Sequence, residues 1–265
     1  MTVLFVLALT SLGFVGAFIA GMLGVGGAIV MVPLLLYAPP LLGQGELDMK
    51  AVSGITMVQV LAAAASGVIA HHRMRAVHGE LAGLGGVSMA MGSFVGALAS
   101  HLLSDRTLLL VFAVMATAAL VVLFVPTETA GQPIFAEHVE IARARAVAVC
   151  LAVGVAAGLV GAGGAFLLVP LLIVVVGVPI RVTIGSSLAI TALSAVTGFA
   201  GKAVTGQILW GPALLVALGA LPGAQLGALV SRRLSGARLR HVLFLVVLLT
   251  AIRVWWDLLR PLAGG

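Results

Sequence analysis

Residues 158–170 read GLVGAGGAFLLVP, and residues 21–33 read GMLGVGGAIVMVP. Both stretches follow the pattern G-x-x-G-x-G-G, with a proline six residues after the last glycine, and both lie inside long apolar runs. Glycine costs about 1 kcal/mol relative to alanine in a helix interior. A lipid bilayer tolerates a broken backbone only where protein covers it or where it lines a cavity. The two stretches therefore predict two helix breaks that face each other across a substrate site.

The composition indicates a membrane protein. The chain is 62% hydrophobic and only 8% charged, whereas a soluble domain carries about 25% charged residues. Apolar runs of about 20 residues recur along the whole length, and each is long enough to cross a bilayer core of about 30 Å. The net charge of +6 is attributed to short loops that set orientation, not to nucleic-acid binding. The first residues, MTVLFVLALT, lack a basic segment and a cleavage motif, so we expect no removable signal peptide.

The two halves of the chain repeat one plan. In each half, an overlong apolar block that contains the glycine motif is followed by three spans. These spans lie at about 51–70, 80–102 and 107–125, and at about 183–201, 208–230 and 239–259. At a spacing of 131 residues, Gly54 matches Gly185 and Thr56 matches Ser187. The pattern predicts an all-α polytopic membrane protein of two repeats, each a broken helical hairpin plus three transmembrane helices. The repeats are predicted at 1–126 and 144–265, joined by a linker at 127–143.

The basic residues indicate opposite orientations for the two repeats. Cytoplasmic loops collect Lys and Arg, and the chain has basic loops at 71–78 and at 231–241. The basic loop has moved by one span between the copies, as opposite orientation requires. We therefore expect inverted-topology repeats about an axis in the membrane plane, a plan shared by many secondary transporters. Parallel repeats are the alternative, if each broken block crosses the membrane once.

The glycine breaks are predicted to form an anion site. A helix that begins after a break presents free N–H groups and the positive end of its dipole, and such a helix end binds anions. Hydroxyl and amide side chains lie on the span that follows each break. The predicted substrate-binding residues are Gly24, Gly26, Gly27, Gly161, Gly163, Gly164, Thr56, Gln59, Ser186 and Ser187. The acidic residues lie near span ends or in loops, so we expect no metal and no cofactor.

Several of these residue types have simpler roles as alternatives. Serine and threonine in a span often bond to their own helix. Glycine often permits close helix packing, and four glycines are assigned to that role: Gly92, Gly96, Gly223 and Gly227. Lys202 lies at a span end, where snorkelling to the interface is expected, with attraction of anions as the alternative. Arg253 is expected to form an ion pair with Asp257 one turn later.

These residues resemble the TauE/SafE family of sulfite and organosulfonate exporters. The resemblance rests on the doubled glycine motif, on IGSSLAI at 184–190 and on GQILW at 206–210, and it covers nearly the full length. The first copy departs from the pattern, because it has SGITMVQV at 53–60 and HGEL, without the tryptophan, at 78–81. The resemblance implies a multi-pass carrier of the bacterial inner membrane that exports small sulfur oxyanions such as sulfite or organosulfonates.

The expected mechanism is alternating access around a midplane site formed by the two glycine-rich breaks. An anion-selective channel would use the same parts, and a non-transport membrane subunit is a further alternative. An enzyme is not expected, because the sequence contains no G-x-S-x-G or H-E-x-x-H motif. The expected partners are a small anion and the lipid bilayer, without nucleic acid, and a homodimer is an open alternative to a monomer.

Overall fold

The computed structural model describes residues 3–23, 27–41, 47–72, 77–124, 141–231, 233–234 and 236–260. These residues form ten α-helices and no strand. In chain order the helices are α1 Val3–Leu23, α2 Ala28–Leu41, α3 Met49–His72, α4 Gly79–Ala99, α5 Asp105–Phe124, α6 Arg143–Val160, α7 Ala165–Leu171, α8 Ile180–Val204, α9 Trp210–Ser231 and α10 Gly236–Leu259. A 3-10 turn at Ser100–Leu102 follows α4, and a π-helical turn at Leu172–Val176 follows α7.

Eight helices in the described part of the chain are long and apolar enough to cross a membrane, judged by length and composition. The two exceptions are α2 and the segment that α7 forms with its π-helical turn, which are shorter. The six spans predicted to follow the glycine blocks are all present, with their ends within three residues of the helices. The protein is therefore a polytopic all-α membrane protein, as predicted.

Both glycine motifs interrupt a helix, as predicted. The first break, at residues 24–27, separates α1 from α2, and the second break, at residues 161–164, separates α6 from α7. Gly27 has φ 82°, and the three glycines of the second break have φ between 61° and 69°. Glycine is the residue that adopts this left-handed region without steric cost. Gly24 and Gly26 lie outside the described residues.

Each short helix folds back along the helix before it. A Cβ added to Gly27 would lie 3.1 Å from Ala20 Cβ of α1, and a Cβ added to Gly164 would lie 2.8 Å from Ala157 Cβ of α6. The contacted alanines stand at the same spacing of 137 residues as the two glycines. The short helices thus begin at equivalent positions beside the helices that precede them, which gives in each half the helical hairpin predicted from the repeat.

The first helix of each hairpin packs against a helix of the other half. α1 lies along α9, and α6 lies along α4. A Cβ on Gly227 of α9 would lie 2.0 Å from a backbone oxygen of α1, and one on Gly96 of α4 would lie 2.1 Å from a backbone oxygen of α6. Gly92 and Gly223 face the opposing backbone in the same way. These four glycines have the packing role predicted for them, because a side chain there would force the two helices apart.

Helices at equivalent places in the two halves run in opposite directions where they meet. Ser53, near the start of α3, contacts Lys202, near the end of α8. One turn further along α3, Met57 contacts Gly198, which lies one turn earlier in α8. The equivalent pair α5 and α10 is also antiparallel. By contrast, two pairs of non-equivalent helices from opposite halves run parallel: α1 with α9, and α4 with α6.

The proline that ends each glycine motif lies inside the short helix, at Pro33 in α2 and at Pro170 in α7. Proline has no N–H, so the carbonyl four residues earlier loses its helical partner. Ile29, four residues before Pro33, instead accepts a hydrogen bond from Thr250 Oγ1 of α10 at 3.0 Å. This bond ties the first hairpin to the last helix of the other half.

Two predicted loops lie partly outside the described residues. Residues 127–140 of the predicted linker are among them, and α6 already begins at Arg143, the last linker position. The division of the chain at this linker stays a prediction. Positions 73–76 of the first basic loop are also outside the described part. In the second basic loop, Arg238 and Arg240 belong to the first turns of α10, which begins at Gly236.

Candidate functional site

Both breaks contact the middle of α3. A Cβ added to Gly27 would lie 2.7 Å from Gln59 Nε2, and a Cβ added to Gly163 would lie 2.4 Å from Val60 Cγ1. Gln59 and Val60 are consecutive residues at the centre of this helix of 24 residues. The two breaks, which the sequence predicted to face each other, therefore reach one level of one helix. We call this part of α3, Gln59 and Val60, together with Gly27 and Gly163 that contact it, the junction.

At the second break the backbone itself is packed against both halves of the protein. Gly161 lies on the backbone of α3, because an added Cβ would be 1.9 Å from Ser53 O. Gly163 faces Thr191 of α8, whose Cγ2 would be 3.1 Å from an added Cβ. A side chain at either glycine would collide with a neighbour and would also strain the left-handed backbone. Glycine at these two positions therefore allows the main chain of the second break to pack directly against α3 and α8.

The short helices begin at the breaks with amide groups that their own helix cannot pair. Gly27 O accepts hydrogen bonds from the N–H groups of Val30 and Met31 at 3.2 and 3.0 Å, and Gly164 O accepts in the same pattern. The amides that precede these in each short helix come before the first helical bond and have no acceptor within the helix. Such a helix start carries up to about half an elementary positive charge. Both breaks therefore bring partial positive charge to the junction.

The Gln59 side chain ends beside the first break without a partner. It is fully buried, and neither Nε2 nor Oε1 forms a hydrogen bond with any described residue. Leaving a buried amide unpaired costs about 1–3 kcal/mol in protein mutational data, and most buried polar groups are paired. Among the described residues, nothing occupies the two N–H donors that this amide carries.

Three buried hydroxyls near the junction also form no hydrogen bond with a described residue; they belong to Thr191, Ser194 and Ser93. Thr191 and Ser194 lie one turn apart on α8, and Gly198 follows one turn later on the same side. Ser93 Oγ of α4 would lie 2.6 Å from a Cβ on Gly198. Thr191 and Ser194 lie on the same helix as Ser187 but were not among the ligands predicted from the sequence. No signal in the sequence pointed to Ser93, because the pairing of α4 with α8 is a tertiary contact.

The three hydroxyls selected from the sequence are buried but already engaged in hydrogen bonds. Thr56 Oγ1 donates to the carbonyl four residues earlier in α3 at 2.8 Å, and Ser187 Oγ donates to the carbonyl three residues earlier in α8 at 3.0 Å. Ser186 Oγ accepts from the backbone N–H of His78 at 2.9 Å, which ties the start of α8 to the loop after α3. Thr56 and Ser187 thus make the bonds to their own helix that were the alternative role. Substrate contact by these residues stays a prediction.

Lys202 is enclosed in the protein interior, so the expectation that it snorkels to the interface is wrong. Its exposed fraction is 0%. Four acceptors share the three N–H groups of its ammonium: Ser100 Oγ at 2.7 Å, Ser53 Oγ at 2.8 Å, Gln207 Oε1 at 3.0 Å and Leu159 O at 3.1 Å. The physical reason is tertiary, because the ends of α4 and α6 and the loop after α8 close over this end of the helix and supply the acceptors.

Arg253 and Asp257 form the ion pair expected from their spacing. The Arg253 guanidinium also lies 3.8 Å from the centre of the Tyr37 ring, so the pair connects α10 with α2. Within the described ranges, no group of three or more His, Cys, Asp or Glu side chains is placed to hold a metal ion.

The fold and the junction define a class of protein: a polytopic helical membrane protein in which two broken hairpins contact the middle of one helix, close to buried polar side chains. Residues 9–254 match the family model described as "Sulfite exporter TauE/SafE". The chain therefore belongs to the TauE/SafE family and is a membrane transporter.

Similar proteins are found in several bacteria. Two relatives from Xylella fastidiosa, strains 9a5c and Temecula1 / ATCC 700964, are each named "Probable membrane transporter protein". Each is 32% identical over 248 residues, which cover 92% of this chain and 92% of the relative. "Probable membrane transporter protein YunE" of Bacillus subtilis (strain 168) is 24% identical over 267 residues, which cover 94% of this chain and 97% of the relative. No solved structure matches the chain significantly. The similarity thus extends over nearly the whole of each chain.

Proposed function

We propose that this transporter exports small sulfur oxyanions, such as sulfite or organosulfonates, across the bacterial inner membrane. The observation that carries the proposal is the buried Gln59 amide beside the first break, which has no hydrogen-bond partner among the described residues and lies at the level where the second break contacts α3. A buried amide with no ligand to bind would be expected to have a protein partner. The family description supports the substrate class, and the bacterial relatives support the location.

The chemistry of the junction suits an anion better than a cation. Among the described residues, no Asp or Glu side chain is buried, so a metal cation would lack the carboxylate ligands it prefers. Amide N–H groups at the breaks and on Gln59 are donors, and hydroxyls donate as well as accept. A sulfur oxyanion spreads its charge over several oxygens, each of which accepts such bonds. The helix starts add a field of the right sign.

The proposed ligands combine the predicted residues with those added by the structure. The backbone of the two breaks contributes through Gly24, Gly26, Gly27, Gly161, Gly163 and Gly164. The Gln59 amide is the central side-chain donor. Thr191 and Ser194 of α8 and Ser93 of α4 add hydroxyls that have no partner among the described residues. The predicted hydroxyls are those of Thr56 on α3 and of Ser186 and Ser187 on α8.

Alternating access between inverted repeats is the proposed mechanism. It is supported by the antiparallel contacts of α3 with α8 and of α5 with α10, which are the equivalent helices of the two halves. It is also supported by the packing of α1 against α9 and of α6 against α4, because each hairpin begins with a helix that lies against the opposite half. With each hairpin held by the opposite half, a rocking motion of the halves would move both breaks together and change which end of the junction is open.

The substrate class is tested by thermal unfolding of the purified protein with sulfite, sulfoacetate, sulfolactate, thiosulfate or sulfate. A ligand at a hundred times its Kd stabilises the folded state by about 2.7 kcal/mol. We expect sulfite or an organosulfonate to raise the unfolding temperature more than chloride does at equal ionic strength. A panel in which no anion exceeds chloride would contradict the proposal.

Counterflow in proteoliposomes distinguishes a carrier from an anion channel. Vesicles loaded with unlabelled sulfite are diluted into a trace of radiolabelled sulfite. A carrier accumulates the label transiently above its equilibrium level, because each inward movement of label is exchanged for outward movement of unlabelled anion. A channel allows only a monotonic approach to equilibrium, and that result would exclude alternating access.

The Gln59 amide is tested by Gln59→Leu, which keeps the size of the side chain and removes its donors. We expect sulfite transport to fall by about tenfold or more, the loss that corresponds to about 1.4 kcal/mol. The unfolding temperature without ligand should stay the same or rise, because an unpaired buried amide is replaced by an apolar group. Gln225→Leu, on an exposed face of α9, is the matched control and should transport normally. Wild-type transport by Gln59→Leu would remove this residue from the site.

A further inference from the structure

The ammonium of Lys202 is buried, and no described residue forms an ion pair with it. Its four acceptors are two hydroxyl oxygens, an amide oxygen and a backbone carbonyl, and all of them are neutral. The ion pairs formed within the described part of the chain are Arg143 with Glu80 and Arg253 with Asp257, so neither includes Lys202. A charge in this position is strongly unfavourable unless something negative pairs with it.

The hydrogen bonds around Lys202 are arranged for a protonated lysine. Ser53 Oγ donates its own proton to Lys50 O at 2.8 Å, and Ser100 Oγ donates to Ala97 O at 2.6 Å. Both hydroxyl oxygens therefore act as acceptors toward Lys202, and the two carbonyl-type oxygens can only accept. An ammonium has three N–H donors and no acceptor, which matches a shell made only of acceptors.

A structural role explains only part of this arrangement. Leu159 O lies in the last turn of α6, and a cation near a helix C terminus is stabilised by the helix dipole. A neutral donor such as glutamine would bond to the same oxygens without burying a charge. Ionisable residues inside membrane spans are rare, and they mark substrate and ion pathways. The charge itself therefore calls for a functional explanation.

The ammonium lies directly beside the second break. Ser53 connects the two, because its hydroxyl accepts from Lys202 and its carbonyl lies 1.9 Å from the position of a Cβ on Gly161. Lys50 lies one turn earlier on α3, and its ammonium donates to His101 O at 3.1 Å at an exposed position. Asp48 and Asp105 also lie at this end of α3, where they accept hydrogen bonds from the amides of Ala51 and Lys50. Lys202 thus places a buried positive group between the second break and this end of the helix.

We propose that Lys202 contacts the transported anion and makes this path selective for negative charge. The inference rests on the proposed function, since it names the cation that the anion meets between the second break and the nearby end of α3. When that end opens, the oxygens of the anion replace neutral acceptors around the ammonium. The ligand is a small oxyanion, and an uncharged sulfone of similar shape is not recognised.

The test measures the sulfite concentration that gives half of the maximal thermal stabilisation of the purified full-length protein. A charge-assisted hydrogen bond corresponds to a change of about tenfold or more in affinity. We therefore expect Lys202→Gln to raise the half-saturating concentration by at least that factor, and Lys202→Arg to keep it within a few-fold of wild type. Lys50→Gln removes a cation at the same end of α3 and should leave the value nearly unchanged. The unfolding temperature of the wild type should rise with methanesulfonate and should not change with dimethyl sulfone.

An unchanged half-saturating concentration in Lys202→Gln would overturn the inference, even if the ligand-free variant unfolds at a lower temperature, because that pattern describes a purely structural lysine. If Lys202→Gln does not fold, Ser100→Ala provides the test. That variant removes one neutral competitor for the ammonium and should lower the half-saturating concentration, whereas no change would overturn the inference. A wild type that responds to no anion would contradict the proposed function as well, so the two failures are distinguishable.

Discussion

Two glycines with the same backbone conformation differ in what surrounds them. Gly164 in the second break has φ 69°, and an added Cβ would lie 2.8 Å from Ala157 Cβ. Gly206, in the turn after α8, has φ 68° and no atom within 4 Å of an added Cβ. An L-residue in the left-handed region costs about 1–2 kcal/mol, and this cost is common to both positions. Only at Gly164 does a collision add to it.

This pair provides a prediction at the scale of the residue. We expect Gly164→Ala to reduce sulfite transport by about tenfold or more, because a 1 Å displacement at a binding site has large effects on function. Gly206→Ala should lower the unfolding temperature somewhat and keep transport near the wild-type level. Transport in proteoliposomes and thermal unfolding are measured on both. Equal transport by the two variants would show that the shape of the second break is unimportant.

Thr56 and Gln59 show why residue type alone does not identify a ligand. Both are buried and lie one turn apart on α3. A threonine hydroxyl is short enough to reach a carbonyl of the preceding turn, and Thr56 does so. The Gln59 amide lies further from its backbone and is held against Gly27. Whether a polar group is free therefore depends on its reach and on the neighbouring helices.

At the scale of the element, some glycines of α4 pack closely against another helix, and others have open space beside them. Gly92 and Gly96 lie against the backbone of α6, whereas Gly83 has nothing within 4 Å of an added Cβ. Glycine lowers the stability of a helix by about 1 kcal/mol relative to alanine. The cost is offset at Gly96 by the close approach of two helices but has no such compensation at Gly83.

The open and packed positions in α4 should respond oppositely to the same change. Gly96→Ala should lower the unfolding temperature, because overpacking a tight contact costs typically about 1–3 kcal/mol and the new Cβ would lie 2.1 Å from Val155 O. Gly83→Ala should leave the unfolding temperature unchanged or raise it. Thermal unfolding of the two purified variants measures the difference. A Gly96→Ala protein as stable as Gly83→Ala would contradict the close packing of α4 on α6.

At the scale of the whole molecule, the contacts are consistent with the charge pattern. α3 runs parallel to α9, since Gly54 packs against Gln207 near the start of both helices and Ser66 bonds to Leu221 further along. The ends of these two helices therefore lie on the same side of the protein. Each end leads into one of the two basic loops, which the positive-inside rule assigns to the cytoplasm. Both loops can thus satisfy that rule together.

Opposite orientation of the repeats predicts opposite labelling of equivalent positions. Ser104 and Arg233 follow equivalent helices, α4 and α9, and both are exposed. In a Cys150→Ala background, a membrane-impermeant maleimide should label Ser104→Cys in intact cells. It should label Arg233→Cys only after the membrane is permeabilised. Labelling of both positions from the same side would favour parallel repeats.

Much of the fold followed from local pattern. The six spans, the two breaks, the packing glycines and the Arg253–Asp257 pair are visible in the sequence because each depends on residues near one another in the chain. Hydrophobic length predicts a span, and glycine at a repeated position predicts a break. The enclosed state of Lys202 was missed for the opposite reason, since its acceptors come from α3, α4, α6 and the loop after α8.

By itself, the sequence determined that the protein is a membrane protein of duplicated plan with two broken helices, because hydropathy and glycine content act locally. Only the tertiary structure decided that the two breaks reach Gln59 and Val60, that the hydroxyls of Thr191 and Ser93 have no partner in the described part of the chain, and that Lys202 is buried. These features depend on which helices of the two halves pack against each other and on where along their length they make contact. Nothing in the order of residues along one helix specifies the partner that will pair, or leave unpaired, its polar groups.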